Sequence, residues 1–121
     1  MMFIPPREFD RLVEEALSQL PPEFERLLDN VVVVVEDEPS AEDREALEDP
    51  QNSELLGIYR GVALTRRHFD MLPTLPDQIA IFRGPINRMA RTRSEAVHEI
   101  RDTVIHELGH YFGLHDHDML Y

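Results

Sequence analysis

Residues 103–120 read TVIHELGHYFGLHDHDML. Two histidines bracket a glutamate, a glycine follows, and His and Asp then alternate over four residues. At about 100° per residue, positions four apart lie roughly 40° around a helix and about 6 Å along it, so His106 and His110 project side by side from one face. Such a pair can chelate one ion. Glu107 sits next to His106 but off the ligand line, where a carboxylate can take a proton from a metal-activated water. This is the H-E-x-x-H arrangement, provided that the stretch is a helix.

Working outward, the spacing predicts that helix. Val97, Ile100, Val104, Leu108, Tyr111 and Phe112 recur at helical intervals, Ser94 is the expected N-cap, and Gly113 stands where a left-handed residue closes the last turn. The stripe uses positions other than the histidines, which therefore point away from the packed face. An isolated helical His pair is also a common surface or core feature. Here, however, the helix has independent support, and Gly113 can swing the chain back so that Asp116, ten residues after His106, meets the same ion. His115 and His117 flank Asp116, and either can take its place if the turn is tighter or looser. His68 and His98 fit no ligand pattern and are expected as surface or packed residues. Asp102 and Thr103, one turn before His106, are candidates to hydrogen-bond its imidazole.

Upstream, Arg7 to Gln19 places Phe9, Leu12, Val13, Ala16 and Leu17 on one helical face, ended by Pro21 and Pro22. A short second helix runs from Pro22 through Leu28. Val31 to Glu36 opens with five valines, a β-branched run that sheets favour. Its continuous apolarity suggests an inner strand covered on both faces. The acidic stretch to Ser53 reads as loop with a helical turn at Ala41 to Leu47. Leu55 to Thr65 is a bent strand or a hairpin, His68 to Gln78 a connection, and Gln78 to Arg83 (QIAIFR) a strand that stops at Gly84-Pro85. Ile86 to Ala90 adds one helical turn. The expected fold is α+β: a small mixed sheet packed on helices, one domain over residues 1–121, with the motif helix near the C-terminal end.

Composition narrows the chemistry. With no cysteine among 121 residues, a metal site must use His, Asp and Glu. A net charge of −12, with acidic residues dense between Glu36 and Glu54, repels polyphosphate, so nucleic acid is not an expected partner. The longest apolar run, Val31 to Val35, is too short to span a bilayer. The opening MMFIPPREFD has no basic leader or sustained apolar stretch, which makes the cytoplasm the expected location.

Together, His106, Glu107, His110, Gly113 and Asp116 form H-E-x-x-H-x-x-G-x-x-D, which resembles the active-site helix and turn of the zincin metallopeptidases in their variant with Asp as third ligand. The short acidic chain is similar to the small bacterial family of minimal zincin-like domains. The resemblance implies a Zn²⁺ ion held by His106, His110 and Asp116, with Glu107 as general base in peptide-bond hydrolysis. His117, Tyr121 and Tyr111 are then candidates to stabilise the oxyanion. Zincins set an antiparallel edge strand before this helix, and by analogy the strand at 78–83 would pair with an extended peptide or protein substrate. The alternative is a zincin-shaped binding module for peptides or proteins with little or no turnover, although a purely structural metal site has no need of Glu107.

Overall fold

The structure, a computed structural model, describes residues 3–45, 54–61 and 77–111, with side chains through residue 109. The expected turn from Gly113 onward, the connection at 68–76 and the later parts of the stretches ending at 47 and 65 lie outside them.

Helix α1 (Pro6–Ser18) has proline in its first turn, where the missing N–H would have no partner anyway. It buries Phe9, Leu12, Val13 and Ala16, the face read from the spacing. Proline also opens α2 (Pro22–Leu27), which buries Phe24 and passes through a 3-10 turn, Leu28–Asn30, into β1 (Val31–Glu36). Helix α3 (Ala41–Arg44) is a single turn closed by a capping box, in which Ser40 and Asp43 exchange hydrogen bonds. Strand β2 covers Gly57–Arg60 and β3 Asp77–Phe82. Helix α4 (Arg83–Met89) follows without a break. It therefore starts three residues before the expected turn, because Pro85 falls within the first helical turn, where no N–H is required. Helix α5 (Arg93–Tyr111) carries the motif.

Strand order is β1-β3-β2, with β1 parallel and β2 antiparallel to β3. Two expectations are corrected here. The valine strand is not the inner one: among the described residues β1 pairs with β3 alone, and Val32 is 43% exposed. Conversely, the strand expected at 78–83 as an antiparallel edge is the centre of the sheet, with Ile79 through Phe82 fully buried. Both its sides are taken by β1 and β2, so an extended peptide has no main-chain groups to pair with there. Among the described residues the antiparallel strand at the margin is β2.

Alternation along the strands sends Ile79 and Ile81 into the core, with Val31, Val33, Val35 and Tyr59 packed beside them. Helix α5 lies on this face and α1 packs against α5, with Phe9, Val13, Ala16, Ile100, Val104, Ile105 and Leu108 in the shared core. On the other face Arg60 donates to both carboxylate oxygens of Glu36 (2.8 and 2.9 Å) and to Asp43 of α3 (2.9 Å). Thus α5 lies against β2 and β3, with the motif residues His106 and Glu107 half-buried on it. The described helices include none long and apolar enough to cross a membrane.

Candidate functional site

The start of α5 differs from the expected one by two residues. The Thr92 hydroxyl accepts from the Glu95 N–H (3.0 Å) and the Thr92 carbonyl from Ala96 N–H (3.0 Å), so Thr92 is the cap and Ser94 lies inside the first turn. From there the helix runs unbroken to Tyr111, which puts His106, Glu107 and His110 on one regular backbone. Val97, Ile100, Val104 and Leu108 are buried as the stripe requires, together with Ile105.

His106 is half-buried, and its Nδ1 lies 2.9 Å from the main-chain carbonyl oxygen of Asp102, one turn back. A carbonyl only accepts, so Nδ1 is the donor in this contact, and in the corresponding neutral tautomer Nε2 is the nitrogen that can ligate a metal. Neither candidate side chain, the Asp102 carboxylate or the Thr103 hydroxyl, makes this contact. The carboxylate pairs with Arg101 (3.0 Å) and with exposed His98 (3.0 Å), while Thr103 donates to the Glu99 carbonyl (2.7 Å). His98 is thus a surface residue, as expected.

Glu107 reaches the opposite way, to the sheet: its Oε1 accepts the main-chain N–H of Tyr59 in β2 at 2.9 Å. Strand and helix come this close because residue 57 is glycine. A Cβ there would stand 2.6 Å from Thr103 Cγ2 and 2.8 Å from the Ala80 carbonyl oxygen. A cleft of about 350 Å³ opens between β2 and α5, bordered by Leu56, Gly57, Glu99, Thr103, His106 and Glu107. Another of about 330 Å³, at the far ends of β1 and β3, contains no imidazole. Its Arg83 is paired with Asp37, and its Arg88 with Glu38 and Glu54.

Tyr59 is the residue that sequence reasoning missed. Its main chain holds Glu107 and its hydroxyl donates to Asp77 at 2.8 Å, a carboxylate that is 5% exposed at the start of β3. A main-chain donor leaves no trace in the sequence. Gly57 did leave one, as a glycine inside a β-rich run.

The His110 side chain, Gly113, His115, Asp116, His117, Tyr121 and the Tyr111 side chain lie outside the described residues, as does His68. Among the described residues no three His, Asp or Glu side chains converge as a metal site. What is described suits zinc: an imidazole tautomer fixed by a carbonyl acceptor, a regular helix under the His pair, and a cleft bordered by His106 and Glu107.

Residues 28–121 match the family described as Zincin-like metallopeptidase. The chain belongs to that family. Among curated proteins none matches it. A solved structure of a conserved hypothetical protein from Thermo thermophilus is similar to it at 25% identity and a TM-score of 0.56, over 89% of this chain and 94% of the other. The zincin-like fold agrees with the α+β architecture. In this zincin-like chain the antiparallel strand beside the motif helix is β2.

Proposed function

We propose that this chain is a zinc-dependent metallopeptidase in which His106, His110 and Asp116 hold the ion and Glu107 is the general base. One observation carries the reading: His106 and Glu107, neighbours on α5, border one cleft, with the imidazole oriented by a carbonyl and the carboxylate aimed at the antiparallel strand β2. Zinc, when bound, supplies Lewis acidity, which makes water a nucleophile near neutral pH and polarises a carbonyl.

This chain's own residues do the rest. The Asp102 carbonyl keeps the proton of His106 on Nδ1, so Nε2 faces the ligand position. Glu107 takes the proton of the attacking water on its carboxylate and returns it to the leaving amine, which balances the hydrolysis without a further group. An extended peptide lies along β2, in place of the strand at 78–83, whose sides are filled.

Zinc-loaded wild type and Glu107→Gln on a peptide library test the proposal. Wild type should cleave, and the variant should be slower by about 10²-fold or more. Equal cleavage by both would contradict it, and cleavage by neither, with peptides still bound, would favour the binding module.

A further inference from the structure

The edge of β2 offers one main-chain hydrogen that two groups require. Phe82 N–H donates to the Leu56 carbonyl at 2.9 Å, and the antiparallel register sets Ile58 opposite Ala80 and Arg60 opposite Gln78. In such a ladder, residues alternate between turning both main-chain groups to the partner strand and turning both away. Leu56, Ile58 and Arg60 therefore bond to β3, while Gly57 and Tyr59 aim outward, to the side where no strand lies among the described residues. That outward N–H of Tyr59 is the one that Glu107 accepts. Outward groups two residues apart are also what an extended main chain uses when it joins a sheet.

Resting on the peptidase reading above, we infer that Glu107 caps the β2 edge in the peptide-free protein and that the main chain of an extended substrate displaces it. The carboxylate is then released toward the cleft at the moment when a substrate is in place. A peptide carbonyl replaces Glu107 on Tyr59 N–H, so the number of hydrogen bonds is conserved. The geometry makes the strand both the docking rail and the catch that holds the base. Strand β2 needs no movement for this exchange, because Gly57 already sets it against α5 and only the Glu107 side chain changes position.

The test uses the full zinc-loaded chain as Glu107→Gln and Glu107→Ala. Both lack the base and the charge, but only Gln keeps an acceptor for Tyr59 N–H. The probe is a tryptic digest of casein, with bound peptides quantified by equilibrium dialysis and mass spectrometry. Glu107→Ala should bind the pool about fivefold more tightly than Glu107→Gln, the scale of one net hydrogen bond. Without peptide, the Tyr59 amide should exchange with deuterium slowly in wild type and Glu107→Gln and about fivefold faster in Glu107→Ala, again the scale of one bond. Equal binding by the two variants, or equal exchange at Tyr59 in wild type and Glu107→Ala, would overturn the inference and leave the peptidase reading in place. If neither variant binds any peptide and wild type cleaves none, that reading falls and takes the inference with it.

Discussion

The N–H of Tyr59 and the Oε1 of Glu107, 48 residues apart in the chain, are joined by a hydrogen bond of 2.9 Å. It ties the margin of the sheet to the motif helix at the residue whose chemistry matters most. Beside it, Gly57 lets β2 approach α5, and Asp77 holds the Tyr59 hydroxyl. The helix alone would present His106 and Glu107 to solvent; the strand turns their surroundings into a cleft.

Gly57→Ala should destabilise the protein by about 1–3 kcal/mol, since the new Cβ overpacks the strand-helix contact. Adding Thr103→Ser removes the methyl that would stand 2.6 Å from that Cβ and keeps the hydroxyl bonded to Glu99. The double variant should recover part of the loss but not all, because the Ala80 carbonyl oxygen remains at 2.8 Å. Urea unfolding of the three proteins measures this, and a neutral Gly57→Ala would show that the approach is not tight.

Thr92→Ala should lose about 1 kcal/mol, the usual worth of an N-cap. Ser94→Ala, inside the first turn, should stay within about 0.5 kcal/mol of wild type. The opposite ranking in thermal or urea unfolding would return the cap to Ser94.

These two positions illustrate what was legible in the sequence. Periodicity located α1 and α5 because a helical stripe is a local pattern, and the same pattern left His106 out of the buried stripe. Which of two hydroxyls caps α5 depends on a single hydrogen bond, and Thr92 and Ser94 carry equivalent ones. Strand order is not local at all. The valine run suits an inner strand, yet its odd positions fill the core while Val32 stays exposed at the margin, and QIAIFR is central because its neighbours come from residues 31–36 and 57–60. The hold on Glu107 was illegible for a simpler reason: it is made by a main-chain N–H, which every residue but proline carries.

Acid should loosen the pairing of β1, β2 and α3. The hydrogen bonds from Arg60 hold Glu36 below its ordinary value of 4.5. Burial pushes Asp43 up, but the Ser40 N–H, Arg60 and the Ser40 hydroxyl together keep it below its ordinary 3.8. Folded values below unfolded ones mean stability that is present above the ordinary carboxylate range and lost as pH falls through that range to the folded values. Arg60→Leu should therefore cost about 1 kcal/mol at pH 7, a small figure because the pair is partly exposed and screened. Its urea midpoint should converge on that of wild type as pH falls through the ordinary carboxylate range to the lowered folded values and the two carboxylates take up protons. A constant difference across the pH range would contradict the assignment.

The central claim is that His106, His110 and Asp116 share one ion. Its most direct test is zinc content by elemental mass spectrometry after gel filtration, for wild type, Glu107→Gln and alanine variants of the three ligands. Wild type and Glu107→Gln should retain about one zinc per chain, as a three-ligand site with a separate base requires, and each alanine variant should lose most of it. Undiminished zinc in His106→Ala and Asp116→Ala would contradict the account.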